Sequence, residues 1–209
     1  MHLLTPLLVI IALADPFLTT AKVVVIRSTG EAPFFDPTNT TADVGDVLEF
    51  HFKAHNRSIV RGDYDRPCEP AAAPEAFYSG FFVQDNTDTE NVSPNSTVFR
   101  VTVNDTEPIV YYCSQNGPGF GNHCKDHGMA GVVNEPDLSR LQEYRDSAAS
   151  VNTSVTPDSG PFGGIFAANP DDAAVSGTAS TSAAAGGWKY TWTRSCWLLS
   201  LVMAISAAI

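Results

Sequence analysis

Basic residues are scarce in this chain. Among 209 residues there are 12 Lys and Arg against 23 Asp and Glu, for a net charge of −11. Nucleic-acid phosphates are bound by clustered cations, so a nucleic-acid partner is excluded. Long apolar runs are also missing. The two candidates, residues 3–13 and 197–209, fall short of the ~20 residues that span a bilayer. No Gly-x-Ser-x-Gly appears, so the strand–turn–helix elbow that presents a hydrolase serine is absent. There is no internal repeat. Between Arg145 and Lys189 there is no Lys or Arg at all.

What is present at the two ends reads as processing signals. The apolar run 3–13 is followed by Ala12-Leu13-Ala14 and Thr19-Thr20-Ala21, two small-residue cleavage candidates, so residues 1–21 are expected to be a secretory signal peptide. At the other end Ala183-Ala184-Ala185-Gly186-Gly187 precedes a polar-aromatic spacer and the apolar tail 197–209. Small site, spacer and hydrophobic end make a glycosylphosphatidylinositol signal, so residues 188–209 are expected to be removed and the chain tethered to the outer leaflet. Six sequons, at Asn39, Asn56, Asn91, Asn95, Asn104 and Asn152, predict surface loops carrying N-linked sugar.

Residues 22–136 read as short strands separated by turns. The β-branched run Val23-Val24-Val25-Ile26 predicts a strand buried on both faces, while residues 47–53 alternate. Leu48, Phe50 and Phe52 share one face there; Glu49, His51 and Lys53 share a polar one. Further strands are predicted over 98–103, 109–113 and 132–133, giving an all-β sandwich with one core. Residues 137–145 suit a short helix capped by Asp137. From Asp146 onward Ala, Ser, Thr, Gly and Asp dominate. Such a composition buries too little apolar surface to offset ordering entropy, so 137–187 is expected to be a low-complexity stalk, flexible beyond that helix.

The chemistry-bearing stretch is Tyr112-Cys113-Ser114-Gln115, then His123-Cys124, then Gly128-Met129-Ala130-Gly131. Thiol, imidazole and thioether in that order suit a compact copper site. Removing the tail takes away Cys196 and leaves Cys68, Cys113 and Cys124, an odd number in a compartment that permits disulfides. Together with Val44-Gly45-Asp46-Val47-Leu48-Glu49-Phe50-His51-Phe52, Tyr64-Asp65-Arg66-Pro67-Cys68-Glu69-Pro70 and Phe77-Tyr78-Ser79-Gly80-Phe81, these residues resemble the fungal extracellular cupredoxins, relatives of the plant phytocyanins. The resemblance implies a cupredoxin-like Greek-key β-sandwich with one type 1 copper at its tip, and a Cys68–Cys124 disulfide beside it. That pairing would leave Cys113 single, as a thiolate ligand is. Cys113, His123 and Met129 then match three ligand positions.

The family pattern is not followed throughout. Nine residues separate Cys113 from His123 and five separate His123 from Met129, where about four and four are usual for the family. Counting from Phe50, the first histidine falls on Arg57. Arginine stays protonated and donates no lone pair to a metal. His55, two residues earlier, is the candidate fourth ligand; the alternative is a solvated position beside His51 and Lys53. Two functions stay open at this point. One is a cell-surface protein binding a single copper for electron transfer or copper handling, with an unknown redox partner. The other is a metal-free cupredoxin fold used as a wall-associated adhesion or structural module. Enzyme classes have less backing. Five histidines without a His-x-His pair do not make a multicopper oxidase, and both cleavage candidates leave Asp15 or Lys22, not His, at the new terminus.

Overall fold

A computed structural model describes residues 20–29, 33–53, 56–72, 76–82, 96–119 and 121–171. Most of the expected signal peptide, the tail 188–209, the stalk beyond residue 171, His55 and the sequons Asn91 and Asn95 lie outside the described residues.

Eleven short strands and two helices are described: β1 Val23–Ser28, β2 Phe35–Asp36, β3 Asn39–Thr40, β4 Val47–His51, β5 Val60–Arg61, β6 Thr97–Thr102, β7 Ile109–Tyr112, β8 Asn116–Gly117, β9 Gly121–Asn122, α1 His123–His127, β10 Ala130–Val133, α2 Leu138–Ala148 and β11 Ile165–Ala168. They build a five-stranded sheet in the order β11-β6-β4-β1-β2 and a four-stranded sheet in the order β3-β10-β7-β5. The β1–β4 and β3–β10 pairs are parallel and the others antiparallel. This is the cupredoxin-like Greek-key sandwich, with few helices and mixed sheets.

Period-2 alternation explains the core. Ile26, Leu48, Phe50, Phe99 and Val101 of the first sheet meet Ile109, Tyr111 and Val133 of the second in one cluster, which also holds Cys113 and Met129. A tilted contact of Phe35 and an edge-on contact of Phe50 with the Tyr111 ring, at centroid distances of 5.1 and 5.4 Å, fill its centre. Gly131 lies opposite Tyr111 in the β7–β10 register. A Cβ there would run into the Tyr111 hydroxyl and ring, so the sheet needs a residue without a side chain at that point.

Three expectations change. β1 is buried on one face only, with Val23 half exposed, because it lies one strand from the sheet edge and its outer face has little cover. Glu49 and His51, expected on a solvated polar face, are both buried. Arg100 from β6 and Asp171 from beyond β11 close over them. The segment after Pro136 also departs from a stalk. Helix α2, capped by the Asp137 side chain at the Ser139 N–H, buries Leu141, Tyr144 and Ala148 against Val60, Val110, Tyr112 and Val132 on the outer face of the second sheet. β11 then adds an edge strand to β6. Backbone pairing and a few apolar anchors hold this segment, neither of which its composition announces.

Candidate metal centre

Three of the predicted donors meet at one end of the sandwich. Cys113 follows β7 directly, His123 opens α1, and Met129 precedes β10. Backbone bonds stitch them together: the Cys113 N–H donates to the Met129 carbonyl at 3.1 Å, and the Met129 N–H donates to the His123 carbonyl at 2.9 Å. The His123 N–H in turn reaches the Gln115 carbonyl at 2.9 Å. The extra residues between Cys113 and His123 are taken up by the β8–β9 hairpin, where Asn116 pairs with Asn122 and Gly117 with Gly121. Cys124, bonded to Cys68 across 56 residues of sequence, pins α1.

Around the thiol, Ser58 Oγ lies 3.9 Å from Cys113 Sγ and 2.9 Å from Ser114 Oγ. Cys113 Sγ lies 3.5 Å from His123 Nδ1. All four side chains are buried. Burial pushes the Cys113 thiol up, against the opposing pull of hydrogen bonds from Ser58 and Gln115 and of the Arg57 charge.

Arg57 completes the cluster. Its backbone is tied to Phe82 by two hydrogen bonds of 3.1 and 2.8 Å, and its side chain is 2% exposed, so the guanidinium is committed to the interior. Nη1 lies 2.9 Å from His123 Nδ1 and 3.0 Å from Nε2, and it can donate only to whichever of the two is unprotonated. Nη2 donates to the Thr29 carbonyl at 3.4 Å. Desolvation lowers the Arg57 pKa and the nearby Cys113 raises it again, yet a guanidinium remains charged in proteins.

Several supports were not legible in sequence. Asn122 caps α1 through its side chain and is itself held by Thr153 and by the Ser154 hydroxyl. Asn116 donates to the Ser154 carbonyl at 2.7 Å, and the Tyr112 hydroxyl donates to the Val155 carbonyl at 2.6 Å. Residues 153–155, inside the expected stalk, therefore brace the loop. An Asn directly before His123 was the one available hint, as a side chain suited to a helix start.

No protein-family model matches the chain. Over 186 residues it is 29% identical to a probable GPI-anchored cupredoxin-1 of Arthroderma benhamiae, covering 81% of this chain and 88% of that one. Over 124 residues it is 34% identical to an extracellular serine-rich protein of the same fungus, covering 59% of this chain and 43% of the relative's length. The chain is cupredoxin-like. Among solved structures, the reduced auracyanin of Roseiflexus castenholzii matches with a TM-score of 0.37 and 18% identity, covering 55% of this chain and 97% of that one. Oxidised plastocyanin of Dryopteris crassirhizoma gives 0.32 and 20%, covering 53% and 97%.

A type 1 copper requires one thiolate and two imidazoles around the ion, with a long thioether bond on the axis. This cupredoxin-like site meets that requirement in part. Cys113 and His123 stand 3.5 Å apart, a span two donors sharing one ion can bridge with bonds of roughly 2.0–2.3 Å. Met129 is buried, and its backbone is hydrogen-bonded to both. Among the described residues no second imidazole joins them: His51 is buried against Glu49 and His127 is exposed. A cation, Arg57, occupies the contact with the His123 ring nitrogens instead. Among the described residues no group of three or more His, Cys, Asp or Glu could hold a metal ion. The described residues do not fit a complete type 1 copper.

The glycosylation expectations divide. Asn104 and Asn152 are exposed, and Asn39 is exposed on the edge strand β3, not in a loop. Asn56 departs from the expected surface loop: its Oδ1 is buried, and Arg57 and Ser58, which complete its sequon, are buried in the cluster.

Proposed function

We propose that this protein is a secreted, surface-tethered cupredoxin-fold module in which Arg57 replaces the copper as the positive centre of the site. The observation that carries this reading is the Nη1 contact with both nitrogens of His123, at 2.9 and 3.0 Å. A guanidinium can donate to the unprotonated nitrogen of the buried imidazole and leaves Cys113 as a protected thiol, so hydrogen bonds hold the tip of the sandwich and no metal is needed to order it. Its role is structural or adhesive at the outer surface. Support for the location comes from the two terminal signals and from the GPI-anchored relative.

One observation favours a second reading, copper handling. Cys113, His123 and Met129 stand together in the fold, with Sγ and Nδ1 at 3.5 Å, and a soft ion entering there would have to displace the guanidinium. Copper content measured after expression with the disulfide intact separates the two readings. Less than a tenth of an equivalent in the wild type supports the module. A full equivalent that is lost in Cys113→Ser supports copper handling and sinks the first reading.

A further inference from the structure

The outer face of the first sheet carries a buried charged chain that the copper-like tip does not use. In the β1–β4 register Arg27 lies beside His51, and in the β4–β6 register Glu49 lies beside Arg100. His51 Nε2 is 2.6 Å from Glu49 Oε1, and the other Glu49 oxygen accepts from Arg100 Nε at 2.6 Å. On its far side His51 Nδ1 stands 3.4 Å from Asp171 Oδ2, and Arg27 Nη2 also stands 3.4 Å from that oxygen. Lys53, the next residue on that side of β4, is exposed. His51 and Glu49 are 3% and 1% exposed, whereas Asp171 is half exposed.

An imidazole here faces a carboxylate on each side. Ionised carboxylates only accept, and a neutral imidazole has one donor and one acceptor. A neutral ring that donates to Glu49 turns the Nδ1 lone pair toward Asp171, and the Nδ1 atom is buried without a hydrogen bond. Only the imidazolium presents an N–H to both. Histidine changes charge between pH 5 and 8.

We propose that His51 is a proton-operated clasp that fastens the end of the edge strand, residues 165–171, to the sandwich through Asp171. With the ring protonated, Glu49, His51 and Asp171 form a continuous bridge and β11 is locked on β6. With the ring neutral, Nδ1 repels the Asp171 carboxylate, which keeps only its exposed pair with Arg27, a weak contact, and the strand end loosens. The sign follows from the charges: the protonated ring gains two anionic partners on docking, so the fastening is present at low pH and lost as pH rises. Release frees seven residues, which span at most ~25 Å when extended. In the tethered protein proposed above, that slack would stand the domain farther from the membrane. Only this last consequence rests on the anchor; the clasp does not.

The test is amide hydrogen exchange on the full chain at pH 5.5 and pH 8, corrected for intrinsic rates, reading the Ile165–Ala168 amides. Wild-type protection is expected to fall about tenfold from pH 5.5 to pH 8, with amides of β1 and β4 unchanged. Asp171→Ala changes an exposed side chain, so the fold survives, and it should hold protection flat at the wild-type pH 8 level. Asp171→Asn, whose amide can donate to a neutral Nδ1, should keep the strand protected at both pH values. Equal wild-type protection at the two pH values, or a tenfold fall that persists in Asp171→Ala, overturns the proposal. A fall shared by β1 and β4 overturns it too, because it would mark a global loss of stability.

Discussion

Replacing Arg57 with histidine removes a buried charge and supplies the second imidazole in one step. The size of the effect follows from the contact distance. An ion bonded to His123 Nδ1 at about 2.0 Å would sit no more than about 4.9 Å from Arg57 Nη1, given its 2.9 Å contact with the same nitrogen. At an effective dielectric constant of ~20, a unit charge repels a divalent ion at that distance by about 7 kcal/mol. That corresponds to roughly five orders of magnitude in affinity. For a monovalent ion the penalty is about half, a few hundredfold. Three proteins separate the contributions. The wild type retains the repulsion, Arg57→Ala loses it, and Arg57→His loses it and adds a donor. Competition against a chromogenic chelator, with Cu(II) and then with Cu(I) under reductant, should rank affinity in that order. A thiolate-to-copper band should appear in Arg57→His alone. Wild-type Cu(II) affinity within tenfold of Arg57→Ala would show that the guanidinium swings aside at no cost, and the assignment of Arg57 as the site's fixed cation would be wrong.

Other outcomes follow from the same geometry. The Cys68–Cys124 bond closes 56 residues of sequence, and the chain-entropy account gives such a loop about 4 kcal/mol. The Cys68→Ser/Cys124→Ser protein should therefore melt roughly 8–16 °C lower, and a shift under 3 °C by circular dichroism would contradict this. Cys113 is fully buried and its pKa is pushed up by burial, so a thiol reagent at pH 7.5 should label it only at the rate of global unfolding. Labelling within minutes in the absence of denaturant would mean that the site opens locally. Ending the chain after Pro136 removes Leu141, Tyr144 and Ala148 from the second sheet, at a cost of ~2–3 kcal/mol for each large side chain. The shortened domain should be largely unfolded or insoluble, while a chain ending at Asp171 keeps its melting temperature. Equal melting of the two would restore the stalk boundary read from composition.

The sandwich was legible because alternation is a local signal. Leu48, Phe50 and Phe52 point inward as their spacing requires, and the Cys113, His123 and Met129 order places those three residues at one end of the core. Arg57 was also visible, as the residue that falls where the resemblance requires a first histidine. Its contact with His123 was not, because two segments 66 residues apart in sequence meet only through the register of β5 and β7. Residues 146–171 were misread for a different reason. Their composition lacks the apolar content that drives collapse, and ordering entropy would keep them loose if they folded alone. They do not fold alone. Main-chain pairing along β6, the Val155 carbonyl under Tyr112 and the Ser154 contact with Asn122 use groups that every residue carries or that any small polar side chain supplies. Those groups have no periodicity to read. The same holds for Glu49 and His51: their alternation marks a polar face, and it is Arg100 and a distant Asp171 that turn that face into an interior.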